Sequence, residues 1–290
     1  MALNQQVFKT RALTAVIFVV VMLSGLLINQ WTFALLFFII HWGCWTEFDQ
    51  LLKKIYPDYG KADPRMTSLP RLIGSGFLIF CLPHHYALFG VELYYIGALI
   101  MIIGTVKFIS LWIRAGALQK VTAKGAVLGL VYISLSWGLM IHLRFCDFLD
   151  YPLGWVIALT MVGSVWTNDT MQYVVGSLIG KTPFSSISPN KTLEGTIGGS
   201  LICIIVITAI GYYFVEKELW LMFLIVSAVT AVIGTLGDLL ESKLKRMAGV
   251  KDSGNFMPGH GGFLDRFDSL ILATPFVVAI VTCWPRLGLI

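Results

Sequence analysis

LWLMFLIVSAVTAVIGTLGD, residues 219–238, is an unbroken apolar run that closes on a carboxylate, Asp238. At ~1.5 Å rise per residue, about twenty such residues cross the ~30 Å of bilayer hydrocarbon as a helix. Directly after it comes a stretch of opposite character, SKLKRMAGVKDSGNFMPGHGGFLDRFD, residues 242–268, and then another apolar run. Upstream, apolar stretches recur at 12–29, 31–46, 69–89, 93–112, 125–143, 152–175 and 197–214, with the last at 267–284. The chain of 290 residues is 57% hydrophobic and 13% charged, with a mean hydropathy of +0.80. That composition belongs to a membrane protein rather than a soluble domain. The expected fold is all-α and polytopic, with about nine transmembrane helices. It forms a single transmembrane domain over 1–290, with 1–150 as apolar scaffold and 151–290 as the catalytic half.

Charge placement supplies an independent argument for nine spans and a cytoplasmic N-terminus. With that topology, 17 of the 21 Lys and Arg residues fall on the inner side, leaving Arg144, Lys217 and Arg286 outside and Lys107 within a span. This is the asymmetry of the positive-inside rule. The net charge of +5 therefore reports orientation and anionic lipid, not nucleic acid as a partner. Lys9 and Arg11 precede the first apolar run in the manner of a signal peptide. No small-residue cleavage site leads into a soluble domain, so this segment is read as a retained helix. Cys44, Cys81, Cys146, Cys203 and Cys283 are scattered without a CxxC pair, the pattern of core residues.

Chemistry gathers in two polar segments, 176–195 and 242–268. In the second, Lys243, Lys245, Arg246, Lys251 and Arg266 surround glycines and the acids Asp252, Asp265 and Asp268. Cations neutralise phosphate, carboxylates hold a hard cation, and glycine admits close backbone approach. Asp238, Ser242 and Lys245 share one helical face, and Asp265 and Asp268 stand at i and i+3. Asp238, Asp265 and Asp268 could together hold Mg²⁺ at the membrane surface while leaving room for substrate phosphates. A plain helix cap accounts for the last two equally well. His260 either contacts phosphate or braces the Gly261-Gly262 turn; a phosphate monoester nucleophile needs no general base.

In the first segment, Ser188, Asn190, Lys191, Thr192 and Glu194 lead into a helix with Gly195 and Gly199. They form either an anion site or a solvated turn whose glycines let helices pack closely. Asp169, with Asn168 and Gln172, reads as a buried acid lining a polar cleft. GSLIGKT at 176–182 has three residues between its glycines where a P-loop has four, and no strand before it.

The 242–268 run closely resembles the signature of the phosphatidate cytidylyltransferases, or CDP-diacylglycerol synthases. It carries Ser242, Lys245-Arg246, Lys251-Asp252, His260-Gly261-Gly262 and Asp265-Arg266-Phe267-Asp268 at that family's spacing. Gly237-Asp238-Leu239 and residues 188–195 are similar to further family segments, so the specific likeness covers about 160–285. The resemblance implies that CTP and phosphatidic acid yield CDP-diacylglycerol and pyrophosphate. Mg²⁺ would sit on Asp238, Asp265 and Asp268 with a monovalent cation such as K⁺ beside it. Lys245, Arg246, Lys251, Asp252, His260 and Arg266 would act on the reacting phosphates; Ser188, Asn190, Lys191, Thr192, Glu194, Asp169, Ser242, Gly261 and Gly262 would bind substrate. Gln172 stands where many members carry Ala, leaving a related lipid phosphate as the alternative acceptor. A bacterial inner membrane with a cytoplasm-facing site is the implied location, and a homodimer is one assembly open to it. A transporter, the competing class, would place polar groups at mid-bilayer with inverted-repeat symmetry, and no such repeat is visible.

Overall fold

The structure is a computed structural model that describes residues 5–84, 86–146, 153–257 and 261–284. Among these the chain is almost wholly helical: α1 Gln5–Leu27, α2 Gln30–Ile55, α3 Arg65–Phe80, α4 Leu93–Ile113, α5 Ala117–Gly129, α6 Leu135–Arg144, α7 Gly154–Ile179, α8 Leu193–Phe214, α9 Trp220–Met247 and α10 Leu264–Cys283. A single π turn, Leu130–Ser134, joins α5 to α6 without a break. Five helical stretches have the length and apolar composition to cross a membrane: Leu93–Ile113, Gln119–Arg144, Leu193–Phe214, Lys217–Met247 and Leu264–Cys283. Ala12–Leu27 is a shorter apolar helix.

Several helix boundaries differ from the sequence reading. The stretch 69–89 is not one helix. α3 stops at Phe80, Pro83 follows, and Ala87–Leu88 pairs antiparallel with Val91–Glu92 as a two-residue hairpin. Its turn residues Phe89 and Gly90 both have positive φ, 52° and 80°, as a type I′ turn requires. Conversely, α2 and α9 run well past their apolar segments and end in Lys53-Lys54 and Lys245-Arg246, basic residues that suit a helix C-terminus. These polar extensions carry much of the site chemistry.

The chain separates into two compact units. The first comprises Met1–Phe145 with Leu244–Phe267, the second Cys146–Lys243 with Asp268–Ile290. Most of the 242–268 signature thus belongs with the N-terminal helices. In the first unit, α2 is the central element. Phe33, Phe37, Trp45 and Phe48 are buried, and Trp137 of α6 meets the rings of Phe37 and Phe267 at 5.3 and 5.7 Å. The π turn delivers Ser134, whose Oγ accepts from Trp45 Nε1 at 2.9 Å and lies 3.0 Å from His41 Nε2. The Tyr59 hydroxyl donates to Asp49 at 2.8 Å, and Arg71 pairs with the same carboxylate. Burial, then the Asp49 charge, pushes that hydroxyl above the usual phenol range.

In the second unit, α7 and α8 pack through glycine. A Cβ on Gly195 would stand 2.8 Å from the Gln172 carbonyl, and one on Gly199 would stand 2.6 Å from Gln172 Cα. Only small residues at those two positions let the helix backbones approach so closely.

Candidate active site

The signature loop begins where α9 ends, and that end is a Schellman motif. Val250 N–H donates to Lys245 O at 3.0 Å and Gly249 N–H to Arg246 O at 3.1 Å, with Gly249 at φ 68°. A left-handed residue satisfies the last carbonyls, and glycine adopts it without cost from a Cβ. The turn fixes where the helix presents Lys245 and Arg246. Lys245 Nζ then reaches Asp265 Oδ1 at 2.6 Å, with side-chain exposures of only 12% and 6%. The other oxygen of Asp265 accepts from Ser253 N–H at 2.9 Å, Ser253 O–H at 2.9 Å and Gly262 N–H at 2.7 Å. Both Asp265 oxygens thus have partners within the first unit.

Beneath this lies Glu47, a residue of α2 that the sequence reading passed over. It is buried. Its Oε1 accepts from Phe263 N–H at 2.8 Å and its Oε2 from Leu264 N–H at 2.9 Å. The Ser253 hydroxyl oxygen lies 2.7 Å from Glu47 Oε2 and 2.9 Å from Asp265 Oδ2, so its one proton is shared between the two carboxylates. The first amides of a helix have no partner within it. α10 begins after Phe263, which has no side-chain acceptor, so a carboxylate from another helix caps it. The capping charge also suits the positive end of the helix dipole. The two signature glycines follow from this arrangement. Gly261 has φ 85°, and a Cβ there would lie 2.6 Å from Asp265 Oδ2; a Cβ on Gly262 would collide with the Glu47 carboxylate. Arg246, Lys251, Asp252 and Arg266 are exposed around this core. His260 lies outside the described residues.

The second unit holds the other half of the expected residues. Thr192 caps α8 by accepting from Gly195 N–H at 3.1 Å. Lys191 N–H donates to Ser188 O at 3.1 Å, closing the turn through Pro189 and Asn190. Glu194 accepts from the amides of Lys181 and Thr182, each at 3.1 Å, and from the Thr182 hydroxyl at 2.8 Å. It ties the loop together. The turn sends Lys191 to Asp238 of α9, where the two form an ion pair.

Around Asp238 the chemistry is acidic. Asp268 is buried and accepts from Ser269 N–H at 2.6 Å, and its carboxylate feels the charges of Asp238, Glu241 and Asp169. Glu241, fully buried, is a second acid that the sequence reading missed; it follows Asp238 at i+3. Gly237 makes room, since a Cβ there would come within 2.5 Å of the Asp268 carbonyl oxygen. Asp169 is not the buried acid expected from the sequence. It is exposed, while its neighbours Asn168 and Gln172 point inward and donate to Thr235 Oγ1 at 3.3 and 2.9 Å. Residues at i and i+4 share a helix face and the residue between them, one step round, does not.

The expected Mg²⁺ trio is therefore divided between units: Asp265 in the first, Asp238 and Asp268 in the second. Among the described residues, no three His, Cys, Asp or Glu side chains form a ready ligand shell. In donor chemistry the second unit fits a hard cation. Like-charged carboxylates around a buried acid require positive charge, and Lys191 supplies only one equivalent.

The whole chain was compared with known proteins. The model of a family described as the cytidylyltransferase family matches residues 9–284. A phosphatidate cytidylyltransferase of Bacillus subtilis (strain 168) is 32% identical over 280 residues, covering 93% of this chain and 96% of that protein. One from Staphylococcus haemolyticus (strain JCSC1435) is 49% identical over 116 residues, 39% of this chain and 44% of its own length. One from Synechocystis sp. is 37% identical over 136 residues, 46% of this chain and 45% of its own.

Proposed function

This chain belongs to the cytidylyltransferase family, and from that membership we propose that it transfers the cytidylyl group of CTP to phosphatidic acid. A phosphate oxygen of the lipid attacks the α-phosphorus of CTP. A new P–O bond forms, the bond to the β-phosphate breaks, and the electron pair leaves with pyrophosphate to give CDP-diacylglycerol. Both reactants are anions, so catalysis rests on positioning and charge neutralisation rather than on proton transfer. The observation that supports this reading best is the charge pattern of the signature loop. Lys245 is held by Asp265, while Arg246, Lys251 and Arg266 are exposed and make no ion pair with a described residue. Three cations, one on the loop and two on the helix ends that flank it, braced by Glu47 and Asp265, suit a triphosphate and a lipid phosphate, and bracing limits the reorganisation needed when they bind.

Asp238 and Asp268, with Asp169 and Glu241 near them, would hold Mg²⁺, and K⁺ is the candidate monovalent ion beside it. When bound, the divalent ion neutralises charge developing on the leaving pyrophosphate. Lys191, drawn to Asp238 by the 188–191 turn, is placed to contact phosphate as well. We further propose nine spans with a cytoplasmic N-terminus, in a bacterial inner membrane, on the strength of the Lys and Arg asymmetry. That orientation puts the loop where CTP is available.

Purified protein incubated with Mg²⁺, labelled CTP and phosphatidic acid is expected to yield a labelled lipid and pyrophosphate in equal amounts. A panel of other lipid phosphates tests the acceptor. No CTP-dependent lipid product across the panel would reject the reading.

A further inference from the structure

The first unit contains an apolar cavity of about 290 Å³ bounded by α1, α2 and the start of α10. Phe18, Met22, Ile40 and Phe267 line it, and the stacked rings of Phe256 and Phe263, 3.9 Å between centroids, close one end. On the far side of that stack a more polar recess begins, shared by Glu47, Gln50 and Asn255. Among the described residues lining the apolar cavity only one is charged, Arg266. Its guanidinium is exposed and forms no ion pair or hydrogen bond with a described residue. Ile17, Val21 and Ile39 also line the cavity yet leave about half of their surface uncovered, 52%, 51% and 51%.

We propose that this cavity takes one acyl chain of the lipid phosphate, entering past Ile17, Val21 and Ile39, with Arg266 holding the phosphate end. The inference rests on the cytidylyltransferase reading and adds where its lipid sits. The walls disfavour a nucleotide, whose many polar groups would meet only Thr14 and Arg266 among side chains that can hydrogen-bond. They equally disfavour water, since apolar cavities stay dry. At ~30 Å³ for a water-sized group, the volume takes roughly ten methylene-sized groups, which is part of one chain. The single cation at the edge matches a phosphate monoester. Arg266 stands directly after Asp265, so the loop that fixes Asp265 also fixes the lipid's phosphate.

Three variants and a photoprobe test it. Val21→Trp narrows the entrance, Ile39→Trp does so from α2, and Ile102→Trp on α4 adds equal bulk at an exposed position outside the cavity. Turnover is compared with dioleoyl and dihexanoyl phosphatidate. In the two cavity variants the ratio of kcat/KM, long chain over short, is expected to fall about tenfold, a size typical of small changes in an apolar pocket. Ile102→Trp should keep the wild-type ratio. Arg266→Gln should raise KM about tenfold for both acceptors, as loss of one charged hydrogen bond does. A phosphatidate with a diazirine on its acyl chain should label α1 and α2 of the wild-type protein, and dioleoyl phosphatidate should displace it. Equal losses for both acceptors in the cavity variants, or labelling that avoids α1 and α2, would overturn the assignment. If wild-type protein transfers cytidylyl to neither acceptor, the fault lies in the underlying reading, and the labelling alone decides the cavity.

Discussion

Both units bury acids, but they use them in opposite ways. In the first, every oxygen of Glu47 and Asp265 is met by an amide, a hydroxyl or an ammonium. In the second, Asp268 has acids for neighbours, and an ion pair joins Lys191 to Asp238. A saturated carboxylate stabilises the fold and has little left to offer a ligand. Carboxylates that feel one another's charge do the reverse: they destabilise the chain unless a proton or a cation neutralises them. The first cluster is read as bracing for the loop and the second as the place where ligand charge is needed.

The largest expected effect comes from breaking the second cluster. Asp268→Asn should lower kcat by about a thousandfold, the scale of removing one electrostatic contributor to a reacting phosphate, while thermal unfolding stays at or above the wild-type temperature. A large fall in stability would place Asp268 with the bracing residues instead. Breaking the first cluster should cost stability as well as rate. Asp265→Asn removes the carboxylate charge that Asp265 offers the mostly buried Lys245, a loss of about 3 kcal/mol, readable by thermal unfolding in detergent. Unchanged stability would contradict the bracing role.

Glu47→Gln keeps the shape but turns an amide group toward donors. About 2 kcal/mol of stability should be lost, with KM for CTP rising because the loop cations are no longer held in place. Lys191→Met sharpens the comparison from the other side. KM for CTP should rise about tenfold, and the unfolding temperature should fall because Asp238 loses its paired cation. The smallest effect expected is from Gly249→Ala, about 1 kcal/mol from the left-handed cap, with turnover nearly unaffected.

Much of this was legible in the residues and some was not, for identifiable reasons. The apolar runs announced helices because span length and composition are local properties. The signature residues at 242–268 stood out because charged groups between apolar runs need an explanation, and their spacing carried the family likeness. Glu47 did not stand out. Its partners Ser253, Phe263 and Leu264 lie 206, 216 and 217 residues away, and an acid at the end of an apolar run looks interfacial until the cap it provides is seen. Glu241 was more accessible, being one helical turn beyond Asp238, but a Glu near basic residues reads as a surface pair. Asp169 was misplaced by reading three neighbouring polar residues as one face, when helical phase turns it away from Asn168 and Gln172. The glycines of the signature were visible, yet their reasons, the Glu47 and Asp265 carboxylates, appear only in three dimensions.

The most direct test of the division is the rise in unfolding temperature on adding Mg²⁺, measured for wild type, Asp268→Asn and Glu47→Gln. Ligand binding to the folded state stabilises it by mass action. The wild-type rise should vanish in Asp268→Asn and persist in Glu47→Gln from a lower starting temperature. A rise that survives in Asp268→Asn and disappears in Glu47→Gln would contradict the account.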